Sequence, residues 1–391
     1  MCWKGSTVRN TQIFYYKGGV RAASATADDE LIRTEQFRKG ADGSDSTSGL
    51  TLQSKSYFKG SLTEEKTDFV QNFATDGSTV RNTQIFYYKG GVRAVSASPD
   101  DELVRTEQFR KGADGSDSIS GLTLQSKSYF QGALTEEKTD YVQNYSTDGS
   151  TVRNTQVFYY KGNARAKDAS ADDELVRTEQ FRAGTAGSDN ISGLTLQSKS
   201  YFKGQATEEK TDFVQNYSTD GVTVRNTQLF YYKGDVRAAS AGADDELLRT
   251  EQFRKGAAGS DSTSGLTLQS KSYFKGAITE EKTDFVQNYS TDGSTVRNTQ
   301  LFFYKGDVRA ASAGADDELL RTEQYRNGSD GSDSISGLTL QSKSYFKGAI
   351  TEEKTDFVQN YSTDGSTVRN TQVFYYKGDT RAASAGADDE L

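Results

Sequence analysis

STVRNTQIFYYKGGVRAASATADDELIRTEQFRKGADGSDSTSGLTLQSKSYFKGSLTEEKTDFVQNFATDG, residues 6–77, is the stretch around which the chain is organised. Its opening motif, S/V-T-V-R-N-T-Q, returns every 72 residues without insertion or deletion, at Ser78, Ser150, Val222, Ser294 and Ser366. A strict repeat indicates a quasi-one-dimensional array in which each unit contacts its neighbours. We divide the chain into a leader at 1–5, five repeats at 6–77, 78–149, 150–221, 222–293 and 294–365, and a partial sixth repeat at 366–391.

Strand and turn signals dominate each repeat. Runs rich in β-branched and aromatic residues predict five strands in the first copy, at 7–17, 20–24, 31–38, 50–59 and 62–73. A helix across 63–68 is the alternative for the start of the last segment. Gly18-Gly19 becomes Gly-Asn or Gly-Asp in later copies, and such pairs tolerate positive φ at both positions. The sequence therefore predicts a tight turn there, with 20–24 returning against the first strand.

Three corners of an aromatic residue, a basic residue and glycine end at Gly18, Gly40 and Gly60, which indicates three hairpin-sized units in each repeat. The segments FYYKGGVR (14–21) and SYFKG (56–60) resemble the YD repeats of Rhs and teneurin-type proteins, and the likeness recurs along nearly the whole array. The resemblance implies antiparallel hairpins wound into a β-spiral, often a shell.

The predicted fold is all-β: an open tandem array of antiparallel β-hairpins that forms an elongated β-spiral or solenoid. Segment 6–31 occurs six times and segment 32–77 five times, a fractional count that suits an open array. A β-propeller, which closes with a whole number of blades, is the alternative. Neither terminal repeat looks like a polar cap, which indicates either a piece of a longer array or open end-to-end growth into a filament.

Composition excludes several classes of function. A formal net charge of −8 argues against nucleic-acid partners and anionic membrane surfaces, and no apolar run is long enough for membrane insertion. Histidine is absent and Cys2 is the single cysteine, which removes most metal sites and most nucleophile arrangements. Mean hydropathy is −0.76, but 22 Tyr and 21 Phe at fixed positions argue for an ordered chain.

Asp42-Gly43-Ser44-Asp45 resembles a calcium loop, because closely spaced carboxylates suit a hard cation. The first aspartate is replaced by Ala186 and Ala258 in the third and fourth copies, which favours turn formation over calcium binding. The aspartates that persist in every full copy, and so remain calcium candidates, are Asp45, Asp117, Asp189, Asp261 and Asp333.

Paired acids recur at 28–30 and 64–65, but adjacent exposed carboxylates are typical of a solvated surface rather than of glycoside hydrolysis. We therefore predict neither catalytic residues nor a cofactor, apart from the calcium alternative. Repeated Tyr, Asn and Gln are candidate sugar-binding platforms. The other interpretation is that Tyr15-Tyr16, Tyr57-Phe58 and the Phe69 and Phe73 pair pack the sheet against itself.

The sequence thus predicts a structural protein of an extracellular fibre, stalk or cell-surface layer, associating end to end with copies of itself. The alternative is a multivalent adhesin or lectin that binds glycans. Residues 1–5 are too short and polar for a signal peptide, so we expect an export signal to lie outside this sequence. The terminal D-D-E-L resembles an ER-retention ending, but the same letters stand inside every earlier copy.

Overall fold

The computed structural model describes residues 8–348, 350 and 352–386, so the leader, Cys2 and the terminal D-D-E-L lie outside the described residues. The described part contains 21 β-strands and a series of three-residue 3-10 turns. No helix in it has the length and hydrophobicity needed to cross a membrane. The strands are β1 (Asn10–Tyr16), β2 (Leu31–Arg38), β3 (Thr51–Lys59), β4 (Lys66–Phe73), β5 (Val80–Tyr88), β6 (Leu103–Arg110), β7 (Thr123–Gln131), β8 (Lys138–Tyr145), β9 (Val152–Tyr160), β10 (Leu175–Arg182), β11 (Thr195–Lys203), β12 (Lys210–Tyr217), β13 (Val224–Tyr232), β14 (Leu247–Arg254), β15 (Thr267–Lys275), β16 (Lys282–Tyr289), β17 (Val296–Tyr304), β18 (Leu319–Arg326), β19 (Thr339–Lys347), β20 (Lys354–Tyr361) and β21 (Val368–Val373).

These residues divide into two compact units, unit 1 within Met1–Asp173 and Phe181–Leu194 and unit 2 within Glu174–Gln180 and Thr195–Leu391. In unit 1, each strand from β1 to β9 pairs antiparallel with the next along the chain. In unit 2, the same holds from β11 to β21. Within each unit, no pairing among the described strands joins the first to the last. The prediction of an all-β, open array of antiparallel hairpins is confirmed.

The sheet continues from one repeat into the next, which argues against the propeller. β4 of repeat 1 pairs with β5 of repeat 2 through partners such as Phe69 and Ile85. In a propeller each blade is a separate small sheet. Here a repeat boundary inside either unit is an ordinary hairpin, so the alternative fold is wrong for each unit.

Each complete repeat has four strands, and the prediction of five strands in three hairpin-sized units is wrong. The expected return strand at 20–24 is reduced to one bridge between Tyr16 and Val20, followed by the 3-10 turn Ala22–Ser24. The partner of β1 is instead β2, whose β-branched and aromatic residues form stronger cross-strand pairs than Ala and Ser. The last strand begins only at Lys66, since Thr63 has φ +67°, which fits neither a strand nor the alternative helix.

The glycine pair after β1 behaves as predicted. Gly18 and Gly19 have φ of +78° and +73°. Where later copies carry Asn163 or Asp235 at the second position, φ is +62° and +61°. Asn and Asp tolerate this left-handed conformation better than other residues with a Cβ, which explains the substitutions seen there.

The two faces of the sheet differ in chemistry, because register partners share a face. The covered face is the side that carries Tyr57, Phe69, Gln71, Thr83, Ile85 and Phe109. The polar face is the side that carries Ser54, Asn72, Asn82 and Gln84. The hydrophobic core lies on the covered face, where Ile85 is 0% exposed and packs with Phe69 and Phe109.

Candidate functional site

A long loop between the second and third strands of each repeat, here called the covering loop, packs over the covered face. In repeat 2 it comprises residues 111–122 and reaches back over strands of repeat 1. Thr83 Oγ1 donates to the Lys111 carbonyl at 2.9 Å, and Leu122 packs against the core around Phe69 and Ile85. Each repeat therefore completes the core of the repeat before it.

A fully buried glutamine fixes the covering loop. Gln71 Nε2 donates to the carbonyls of Ala113 and Ser116 at 2.9 and 3.1 Å, and Oε1 accepts from Gly115 N at 2.8 Å. The side chain is 0% exposed, so these bonds replace the water that the amide loses on folding. The same three-bond arrangement recurs at Gln143, Gln215 and Gln287.

An arginine clamps the loop from the other side. Arg93 Nε donates to Asp68 Oδ1 at 2.9 Å, and its Nη2 lies 3.1 Å from Asp117 Oδ2. Asp68 belongs to repeat 1, and its side chain is only 6% exposed. A buried carboxylate is costly unless it is paired, so removing the arginine would leave an uncompensated charge. The clamp thus joins the β4 strand, the turn after β5 and the covering loop.

Each of the five calcium candidates is the covering-loop aspartate that pairs with the clamping arginine of its own repeat. Each lies beside an arginine, at 3.0 Å for Asp45 and Arg21, 3.1 Å for Asp117 and Arg93, 3.2 Å for Asp189 and Arg165, 3.2 Å for Asp261 and Arg237, and 3.3 Å for Asp333 and Arg309. Within the described residues, no group of three or more His, Cys, Asp or Glu is placed to hold a metal. The structure brings these aspartates to cations rather than to other acids, and calcium binding stays a prediction.

The variable first aspartate of the loop has a different partner. Asp114 accepts from Lys55 Nζ of the preceding repeat at 2.8 Å. In the repeats with alanine at this position, the matching lysine pairs instead with a glutamate on its neighbouring strand, as Lys127 does with Glu107 at 2.7 Å. Lys199 and Glu179 repeat this at 2.7 Å. The lysine therefore has two alternative acceptors, and alanine leaves no unpaired cation.

The paired acids are used by the fold. Asp29 Oδ2 accepts from Thr26 N at 2.7 Å, a bond that lowers the pKa of this carboxyl. Glu30 lies 3.3 Å from Lys17, and Glu65 Oε1 accepts from Leu31 N, at the start of β2, at 2.9 Å. These carboxylates thus hold turns and a strand end in place.

The aromatic residues considered as sugar platforms mostly pack inside the covered face. Tyr57 stacks on Phe69 with ring centroids 4.1 Å apart, and burial raises the pKa of Tyr57 to about 12. Phe69 and Phe73 are 5% and 8% exposed. Tyr88, the copy of Tyr16 in repeat 2, is buried and donates to the Thr67 carbonyl at 2.7 Å. Packing within the covered face is thus shown for Tyr57, Phe69, Phe73 and Tyr88, and glycan binding stays a prediction.

A recess of about 500 Å³ opens on the polar face in unit 2, between β14 and β17. Gln252, Ser270 and Asn288 form one row of register partners across it. Gln252 Nε2 donates to Gln269 Oε1 at 3.2 Å, so the amides form an ordered polar surface. A recess of this volume falls in the range of small-ligand sites, but its lining is polar rather than apolar.

Two arginines on the outer strands of this recess were missed by sequence reasoning. Arg254 lies at the end of β14, and Arg297 is the bulged residue of β17 opposite Asn288 and Tyr289. Both side chains are exposed, and neither guanidinium forms a hydrogen bond or ion pair with a described residue. The sequence does contain a signal for Arg297, since it is the sole charged residue in the recurring motif T-V-R-N-T-Q.

A carboxylate near the two arginines bonds to its own turn. Asp292, in the turn before β17, accepts from the backbone N–H groups of Ser294 and Thr295 at 2.9 and 3.1 Å. These bonds lower the pKa of Asp292 to about 2. The carboxylate therefore stays ionised and is held by its own turn, and within the described residues it forms no ion pair with Arg254 or Arg297.

Comparison with known proteins found no family model that matches the chain and no curated protein with significant similarity to it. The resemblance to YD repeats stays a prediction that rests on the residues quoted for it.

Proposed function

We propose that the chain is a structural repeat protein of an extracellular fibre, stalk or cell-surface layer, and that it associates with copies of itself. The observation that carries the proposal is the covering loop, through which each repeat completes the core of its predecessor. The extracellular location is proposed together with this role.

Three sets of contacts join consecutive repeats. The β4–β5 ladder continues the sheet, Gln71 fixes the loop, and Arg93 clamps the loop to Asp68. A load applied to the array is shared among these contacts at every boundary. The carboxylates and aromatic rings that suggested chemistry are largely engaged in the same packing, which supports a role without catalysis.

The repeat is complementary to a copy of itself, because the surface that receives a covering loop and the loop that fills it belong to the same 72-residue sequence. Heterologous contacts of this kind extend into open assemblies when they do not close. Association between chains would reuse the pairing already present between repeats.

The test combines sedimentation of the purified chain over a concentration series with electron microscopy of the same samples. We expect oligomers that grow with concentration and appear as filaments. Leucine at Gln359, the matching glutamine of the fifth repeat, should weaken assembly, whereas leucine at Gln372, the counterpart of Gln84 on the polar face, serves as the matched control. A chain that stays monomeric at every concentration would refute self-association.

Single-molecule stretching tests the load-bearing role separately. Unfolding one repeat should release 72 residues, which is roughly 240–260 Å of extended chain. Extension without force peaks would contradict a mechanical function.

A further inference from the structure

We propose that the boundary between repeats 3 and 4 binds a small monocarboxylate of the size of acetate, held by Lys199 and Tyr217 beside Ala258. The bound carboxylate takes the place that the side chain of Asp330 fills at the following boundary. The inference does not rest on the structural role proposed above.

The boundary between repeats 4 and 5 shows how the fold holds a carboxylate at this position. Lys271 Nζ donates to Asp330 Oδ1 and Oδ2 at 2.9 and 3.1 Å, and the Tyr289 hydroxyl donates to Asp330 Oδ1. Both donors belong to repeat 4, whereas Asp330 lies in the covering loop of repeat 5. The Asp330 side chain is 56% exposed, so a carboxylate at this position can be reached from solvent.

One repeat earlier the two donors are kept, but the covering loop supplies no carboxylate. Ala258 is the counterpart of Asp330, and the donors are Lys199 and Tyr217. Tyr217 is only 7% exposed, and its hydroxyl is buried without a hydrogen-bond partner among the described residues. Burial raises the pKa of Tyr217 to about 12, so the hydroxyl keeps its proton. A buried donor without an acceptor is costly, and a carboxylate beside Ala258 would satisfy it.

The lysine can bind a second carboxylate. Lys199 Nζ lies 2.7 Å from Glu179 Oε1, but an ammonium group has three N–H donors. Lys271 makes both contacts at once, at 2.9 Å from Asp330 and 3.6 Å from Glu251. A bound acetate adds the same single negative charge that Asp330 adds one repeat later, which the fold already accepts.

The difference between the two repeats defines the ligand. Aspartate differs from alanine by one carboxylate group, so the ligand needs a planar pair of oxygens and a small apolar end. Ala258 is exposed, so the remainder of a short carboxylic acid can point to solvent. Acetate corresponds to the side chain of Asp330 and is therefore the probe.

A second copy of the arrangement lies in unit 1, where Lys127, Tyr145 and Ala186 occupy the matching positions. Tyr145 is 8% exposed, and Lys127 contacts Glu107 at 2.7 Å. We therefore expect one site of this kind in each unit.

The test is NMR of the full chain with isotope-labelled tyrosine Cζ, the ring carbon that carries the hydroxyl. The chain is titrated with sodium acetate, and separately with sodium chloride at equal ionic strength. Tyr→Phe substitution of one residue at a time assigns the signals of Tyr145, Tyr217 and Tyr289. Phe73 stands at the equivalent position of repeat 1, so the sheet accepts phenylalanine there.

Two variants test the placement of the ligand. Ala258→Asp supplies the carboxylate from the chain itself and should remove the acetate response of Tyr217. Lys199→Gln should weaken binding at Tyr217 at least tenfold, since one charge-assisted contact contributes a factor of roughly 10 to 100. Both variants should leave the response of Tyr145 unchanged, and an unchanged Tyr289 signal shows that unit 2 is folded.

We expect saturable shifts of the Tyr145 and Tyr217 signals with a Kd in the millimolar range, because so small a ligand gains limited affinity. Tyr289, whose acceptor is Asp330, should not respond. Absence of a saturable shift over the millimolar range, or an equal shift in chloride, would overturn the proposal. An acetate response of Tyr217 that persists in Ala258→Asp would overturn the placement beside Ala258.

Discussion

Replacing Gln71 by leucine tests how the covering loop is held. Leucine is similar in size but removes all three hydrogen bonds to the loop backbone, at 2.8, 2.9 and 3.1 Å. Neutral hydrogen bonds contribute about 1 kcal/mol each, so the loop should lose about 3 kcal/mol. No further penalty is added for Gly115, because that residue is exposed and water can replace its lost partner.

The loss should be local and therefore visible by hydrogen exchange. A change of about 3 kcal/mol raises the opening equilibrium roughly 100-fold, so amides in residues 111–122 should exchange faster by that factor. The corresponding loop of repeat 3, at residues 183–194, contacts Gln143 and should exchange as in the parent. Comparison of the two loops in one sample provides an internal reference.

Gln84→Leu is the matched control, since Gln84 lies on the polar face of the next strand. It should leave exchange of residues 111–122 unchanged. If Gln71→Leu changes exchange there by less than about threefold, the loop is held by packing alone. Equal acceleration in the control would show that general loss of sheet stability is responsible.

Two further predictions concern glycine and acid. Gly112→Ala should lower the free energy of unfolding by at least 1–3 kcal/mol, because φ is +145° and the added Cβ would lie 2.2 Å from Thr83 Oγ1. Gly91→Asn should leave the free energy of unfolding nearly unchanged in the same urea titration. Equal losses of stability in the two variants would contradict this account. Hydrogen bonds from Thr79 and Ser78 lower the pKa of Asp76 from 3.8 to about 2, so the stability that the ionised Asp76 gives the fold is complete above pH 4 and disappears as pH falls towards 2. Asp76→Asn should flatten that part of the plot of unfolding free energy against pH. An unchanged plot would refute the assignment.

The strand content was predictable because it depends on local patterns. Alternating β-branched and aromatic residues marked 31–38 correctly as β2, and the glycine pair marked a turn with positive φ. The pairing of the segment at 20–24 was not predictable in this way. Its sequence permits a short strand, and only competition with the longer β2 for the edge of β1 excludes it.

The chemistry of the candidate sites was harder to predict, because it depends on contacts between residues far apart in sequence. Asp117 was a calcium candidate from its spacing alone, and its contact with Arg93, 24 positions away, could not be read from the sequence. Gln71 carried no local signal, since its partners lie 42 to 45 positions further along. Arg297 reached the recess through a bulge, which sequence periodicity does not reveal.

The reach of the covering loop into the preceding repeat also bears on how such a gene can change length. Every boundary between consecutive full repeats uses the same glutamine, arginine and strand pair, so recombination that adds or deletes whole multiples of 72 codons recreates a boundary that already exists. A deletion of any other length would leave a loop facing the wrong strands. Selection on folding alone would therefore tolerate variation in the number of repeats while keeping their length fixed.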